Sequence, residues 1–204
     1  MITIIDYGVG NINAFTNIYR KLGIEIKIAT KVSDIDTASK LILPGVGHFD
    51  YAMDRFTKSG MREGVTELVM TRQVPIIGIC VGMQMLAMSS TEGILPGLGW
   101  IDAEVKKIDS SMLKHTTRLP HMGWNDIVTE KPNALLRDLE HDARFYFLHS
   151  YYFQCNNQSD IIAFSEYGNR FTCAVNHNNI YGVQFHPEKS HHFGIQLLKN
   201  FANI

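Results

Sequence analysis

A chain of 204 residues with 45% apolar and 19% charged side chains can bury a proper core, and its formal net charge of −1 offers no basic face to nucleic acid or an anionic membrane. No apolar run approaches the roughly 20 residues of a membrane span. The cysteines, Cys80, Cys155 and Cys173, are odd in number and widely spaced, which argues against a disulfide framework or a CxxC zinc site and for a reducing, cytoplasmic setting.

The N-terminus, "MITIIDYGVG", has neither a basic region nor a cleavage pattern, so it reads as a buried strand ending in a glycine loop rather than a signal peptide. In "NINAFTNIYRKLG", Ile12, Phe15, Ile18 and Leu22 recur at helical spacing and Gly23 ends the helix. "IEIKIAT" alternates as a strand, "DIDTASK" is a short helical turn, and "KLILPGVG" is a strand running into a glycine loop. Tyr51 to Met70 reads as one or two helices, interrupted near Ser59-Gly60. "VPIIGIC" is a strand and "VGMQMLAM" the helix after it. Beyond Gly93 the pattern changes to "AEVKKI", "WNDIV", "RFYFLHSYYF", "IIAFSEY", "FTCAV" and "IYGVQF", mostly strands, before "HHFGIQLLKNFA" closes as a helix.

Strands alternating with helices imply an α/β fold: an open, mostly parallel, flavodoxin-like sheet with helices on both faces, with additional antiparallel strands in the C-terminal half. No linker or repeat interrupts residues 1–204, which read as a single domain. Open parallel sheets bind ligands beyond the carboxyl ends of their strands. Asp6-Tyr7-Gly8, Pro44-Gly45-Val46-Gly47 and Cys80 all follow strands and are expected to share one crevice.

Gly78-Ile79-Cys80-Val81-Gly82 has the form of a nucleophile elbow, G-x-C-x-G between strand and helix. A thiol there meets the helix dipole and free N–H groups, which favour thiolate, and the N–H of Val81 forms half an oxyanion hole. A buried structural cysteine is the other reading, and for Cys155 and Cys173, without glycine flanks, it is the better one. A nucleophilic thiol needs a base and an orienting group. "VQFHPEKS" supplies His186 and Glu188 across Pro187, an imidazole with a carboxylate two residues away; a plain surface turn is the alternative. His191 and His192 raise a metal reading that lacks further ligands, so no metal and no cofactor are expected.

Together these residues resemble the class I (triad) glutamine amidotransferase family. The resemblance runs nearly end to end, through "DYGVGN", "LILPGVGHF", "GICVGMQML", "EGILPGLGWI", "PHMGWN", "FYFLHSYY" and "GVQFHPEKS". Within the family the chain is similar to the glutaminase subunits of imidazole glycerol phosphate synthases in histidine biosynthesis. The resemblance implies glutamine as substrate, Cys80 as nucleophile, His186 as base then acid, and Glu188 as its orienter. It places glutamine against Gly47, Gln84, His149, Ser150 and Tyr151. It makes Val46 the second half of the oxyanion hole, on a loop whose flanking glycines let a peptide rotate when a partner binds. That partner is a (β/α)8-barrel cyclase subunit in a heterodimer, with Trp124, Asn125, Tyr146 and Lys189 at the interface or gate. No nucleic acid and no membrane is implied. A related branch, similar at "HMGWNDI" and "EKSHHFG", supplies ammonia for an acetamidino sugar in surface-polysaccharide synthesis. A non-catalytic binding protein or a cysteine peptidase on the same fold is the reading from another class.

Overall fold

The computed structural model describes residues 1–113 and 119–204. The chain begins with β1 (Ile2–Ile5), α1 (Ile12–Lys21), β2 (Ile26–Ala29), β3 (Lys40–Gly45) and α2 (Phe49–Lys58). Then follow α3 (Arg62–Thr66), which runs on into a π-helical turn over Glu67–Thr71, β4 (Ile76–Cys80) and α4 (Val81–Gln84). The second half holds β5 (Ser89–Ser90), β6 (Ala103–Lys107), β7 (His121–Asp126), β8 (Val128–Thr129), β9 (Arg144–His149) and β10 (Tyr151–Cys155). It ends with β11 (Ile161–Tyr167), β12 (Asn169–His177), β13 (Ile180–Val183) and α5 (His191–Ala202).

The main sheet runs β2-β1-β3-β4-β13-β12-β10-β6-β5, with β11 joined to β12 and β8. From β2 to β13 every pairing is parallel. Beyond β13 the sheet turns antiparallel through β12, β10 and β6. This is the mixed α/β architecture expected from the alternating first half and strand-rich second half. Strand β4 is buried at every position, as a central parallel strand must be. Helix α2 buries Phe49, Ala52, Met53 and Phe56, one face at helical spacing, with Asp50 in its first turn and Arg55 and Lys58 in its last, matching the helix dipole. Tyr19 of α1 donates from its hydroxyl to the Leu198 carbonyl of α5 at 3.1 Å, tying the first helix to the last.

Three local expectations shift. The helical turn falls at Val32–Asp34, ahead of "DIDTASK", with the Asp34 carboxylate accepting from the Thr30 and Lys31 amides. The helix after Cys80 ends at Gln84. The next carbonyls are taken by the returning loop instead: Leu98 donates to Met85, Trp100 to Leu86 and Gly99 to Ala87. "RFYFLHSYYF" is two strands, split at Ser150. β9 pairs with β7 in a separate two-stranded ribbon, while β10 returns to the main sheet beside β6.

Candidate active site

Cys80 is the last residue of β4 and holds φ 55°, ψ −113°. A β-carbon residue in that region costs on the order of 1–3 kcal/mol, so the surroundings must impose it. They do so by close backbone contact. A β-carbon on Gly82 would lie 2.0 Å from the Leu43 carbonyl oxygen, and one on Gly78 would lie 2.6 Å from the Gly82 oxygen. The flanking glycines of G-x-C-x-G thus let the turn press against β3 and against itself. The result is a 96%-buried thiol opening into a cavity of about 340 Å³.

His186 and Glu188 meet beside that thiol. The extended segment after β13 sends Gln184 and His186 to one side and the buried Phe185 to the other, where it stacks on Phe145 at 3.9 Å. The His186 Nδ1 lies 3.0 Å from Glu188 Oε1, with both side chains nearly inaccessible. The other carboxylate oxygen, Oε2, has no hydrogen-bond partner, and among the described residues only His186 offsets this buried charge. Burial opposes a charge on His186, yet its hydrogen bonds to Cys80 and Glu188 outweigh that and push its pKa up to about 10. The imidazole is thus held toward its charged form between a sulfur and a carboxylate, an arrangement suited to carrying a proton to and from a group bound at Cys80.

Ser190, absent from the sequence-based candidates, braces the backbone of His186. It is fully buried, donates from Oγ to the His186 carbonyl at 2.6 Å, and accepts from the Tyr146 amide at 2.9 Å. The His186 amide donates in turn to the Tyr146 carbonyl at 2.8 Å.

The cavity wall carries most of the remaining candidates. Val46, Gly47, Val81, Gln84, His149, Ser150, Tyr151 and Lys189 all line it. So does Glu92, a residue the sequence reading missed, whose Oε2 accepts from the Phe49 amide at 2.7 Å. The hinge freedom expected on both sides of Val46 is one-sided. Gly45 is paired with Cys80 inside the sheet, and a β-carbon on it would fall 2.3 Å from the Gly82 nitrogen. Gly47, at φ +84° with open space around it, is the free joint. Asp6, Tyr7 and Gly8 do not share this crevice. They line a separate cavity with Arg55 and Lys58, while the Tyr7 hydroxyl braces the site from behind by donating to the Pro44 carbonyl at 2.7 Å.

The β7–β9 ribbon forms one lip. Its outer face sets Met122 opposite Leu148 and Trp124 opposite Tyr146. Met122 is 65% exposed, and Trp124 stacks on His191 at 5.3 Å. Lys189 lies over the Tyr146 ring at 5.6 Å. Asn125 falls on the inner face, where its Nδ2 donates to the Glu166 carbonyl at 2.7 Å and lies 3.2 Å from His121. Among the described residues, no cluster of His, Cys, Asp or Glu could hold a metal, and His191 and His192 are engaged with Trp124 and Phe193.

His149 on the cavity wall is backed by His121, 2.9 Å away between ring nitrogens. Burial lowers the pKa of His121 to about 4, and burial, aided by the neighbouring histidines, lowers that of His149 to about 3. The unfolded chain takes up protons at these histidines below about pH 6.5 while the folded chain does not, so their contribution to stability is lost as pH falls from about 6.5 towards 4. Melting temperature should decline across that window, and less steeply in His149→Gln than in the parent. Equal steepness in the two proteins would show that His149 titrates freely.

The glutamine amidotransferase class-I family model matches residues 3–204. The chain is 53% identical to the imidazole glycerol phosphate synthase subunit HisH of Bdellovibrio bacteriovorus over 204 residues, covering all of both chains. It is 49% identical to the subunit of the same name from Leptospira interrogans, again over the full length of both. Among solved structures, a crystal structure of a glutamine amidotransferase superposes with a TM-score of 0.76 at 19% identity, over 99% of this chain and 97% of the other, a likeness of fold.

Proposed function

This chain belongs to the class-I glutamine amidotransferase family, and we propose that it is the glutaminase subunit of an imidazole glycerol phosphate synthase, releasing ammonia from glutamine for a partner subunit. The observation that carries the chemistry is the buried Cys80–His186–Glu188 arrangement, with Cys80 and His186 on the wall of the 340 Å³ cavity.

The Cys80 thiolate attacks the side-chain amide carbon of glutamine. Negative charge collects on the amide oxygen, where the N–H of Val81, at the start of α4, is placed to receive it. His186 gives its proton to the nitrogen, the C–N bond breaks, and ammonia leaves a γ-glutamyl thioester on Cys80. Water then attacks the thioester, giving a proton back to His186, and glutamate departs with the sulfur again a thiolate. Glu188 keeps the His186 Nδ1 proton in place and offsets the imidazolium in both steps. Gln84 and Glu92 offer oxygens to the α-ammonium of glutamine, since both N–H bonds of Gln84 are engaged by the Tyr151 carbonyl and Gln184.

Ammonia is useful only if delivered, and the exposed apolar face of Met122, Trp124 and Leu148 at the cavity lip supports a docked partner. The partner in this reading is a (β/α)8-barrel cyclase, with Trp124, Tyr146 and Lys189 at the junction. The setting in this reading is the cytoplasm, in keeping with three cysteines held as thiols; no helix among the described residues is long and apolar enough to cross a membrane.

The test is steady-state glutaminase kinetics with and without the barrel subunit and its ligand. The isolated chain should release glutamate slowly, and the complete complex about 10²–10³-fold faster, the weight of one oxyanion donor. Gly47→Ala, at a left-handed backbone position, should impair that activation more than glutamine binding. Full activity in the isolated chain, unchanged by partner and ligand, would rule the latent site out. Co-purification of a sugar amidotransferase instead of the histidine-pathway cyclase would reassign the acceptor to the polysaccharide branch.

A further inference from the structure

The triad leaves one buried polar side chain at the nucleophile without a task. Gln184 is fully buried, and its Nε2 lies 3.8 Å from the Cys80 sulfur. Which end of its carboxamide faces the sulfur is settled by its neighbours, starting from a group with no choice. The Tyr151 carbonyl oxygen can only accept. Gln84 meets it at 3.2 Å, so the Gln84 nitrogen must face it. The second N–H of that nitrogen then points to Gln184 at 3.0 Å, which requires the Gln184 oxygen there. The remaining end of Gln184, its NH₂, is left to face Cys80. The other lone pair of the Tyr151 carbonyl is taken by His149 Nδ1 at 2.7 Å. That donor role makes His149 Nε2 an acceptor for His121 Nδ1, and His121 Nε2 an acceptor for Asn125. Donor polarity is consistent at every link, from the β7 rim to the sulfur.

We propose that Gln184 is a catalytic residue: its carboxamide donates an N–H to the Cys80 thiolate, held in that orientation by Gln84 and the Tyr151 carbonyl. The proposal rests on Cys80 being the nucleophile. The chemistry is selective for the charged form. A thiolate accepts such a bond far better than a thiol, whose S–H has its own acceptor in the Leu148 carbonyl at 3.9 Å. Gln184 and His186, two residues apart on an extended segment, therefore grip the same sulfur from one side of the chain, one as a fixed donor and one as the proton carrier. While His186 gives up its proton to the departing ammonia, Gln184 keeps a donor near the sulfur.

The experiment is alkylation of Cys80 in the full chain by iodoacetamide, a neutral probe that needs no glutamine site, followed peptide by peptide by mass spectrometry from pH 5 to 9. Gln184→Met keeps the volume and removes the donor. Gln184→Glu keeps the shape and sets an acceptor or a charge against the sulfur. At pH 7 Gln184→Met should label about tenfold more slowly than the parent, the weight of one hydrogen bond to a charged group, with its profile displaced to higher pH. Gln184→Glu should be slower still. Gln84→Leu, which unlocks the Gln184 amide without touching it, should displace the profile in the same direction, and it decides the matter if the position-184 variants do not fold. Profiles that coincide with the parent's would overturn the role of Gln184 while leaving Cys80 as nucleophile. No labelling of Cys80 in the parent would overturn the nucleophile assignment, and this proposal with it.

Discussion

Cys80→Ala is expected to abolish glutamine-dependent synthesis by the two-subunit complex while leaving synthesis from added ammonium salts largely intact. The loss should be on the order of 10⁴-fold or more, as when the nucleophile of a triad is removed. The asymmetry between the nitrogen sources is the informative part. Cys80 sits at a strained φ of 55° that the chain sustains with glycines on either side, and alanine tolerates that turn no worse than cysteine does. The fold and the docking face therefore survive, and only the sulfur is gone. Free ammonia bypasses the thioester and still reaches the acceptor in the partner. Both reactions are measured on one reconstituted complex, and ordinary glutamine-dependent turnover in the alanine variant would sink the assignment.

His186→Ala should cost nearly as much, and Glu188→Gln less, about 10²–10⁴-fold in turnover. The ranking follows from what each group does. His186 carries the proton in both half-reactions, and the other histidine on the cavity wall cannot take its place, because burial keeps His149 neutral down to about pH 3. Glu188 only orients and offsets. Its amide analogue can keep an oxygen on Nδ1, but it loses the charge that helps raise the His186 pKa to about 10, and it buries an NH₂ where Oε2 already lacks a partner. The Glu188→Gln profile should therefore differ from the parent's in its pH limits as well as its height. Unchanged turnover at every pH would make Glu188 a bystander and dissolve the triad.

The two ends of the proposed triad, which the fold brings together, were legible in sequence for a simple reason. Each lies within a short segment, Gly78–Gly82 or His186–Glu188, where spacing alone decides the geometry. What escaped needs distant contacts. Glu92 enters the cavity because its loop folds back over the N-terminus of α2. Ser190 matters only because β9 passes alongside to present the Tyr146 amide. Gln184 carried a signal that could have been used, since it stands two residues before His186 on an extended run and must share its face. The alternation in "RFYFLHSYYF" concealed the break at Ser150, because both halves alternate properly on their own and only partner choice separates them. Tyr7 follows its strand as expected, yet β1 is separated from β4 by β3, and that spacing moves Asp6–Gly8 to a different cavity.

The contact among Gly45, Gly78 and Gly82 has a mechanical consequence. Backbone meets backbone there with no side chain between, so the end of β3 and the elbow behave as one stiff plate. A force applied to the Val46 loop from outside cannot be absorbed by that plate. Gly47, with open space around it, is the joint where the loop is free to turn while the packed elbow that carries the sulfur is not. In the proposed latent-site reading, a partner that turned this loop would leave the alignment of Cys80 with His186 undisturbed, and the nucleophile would not have to be rebuilt at each activation.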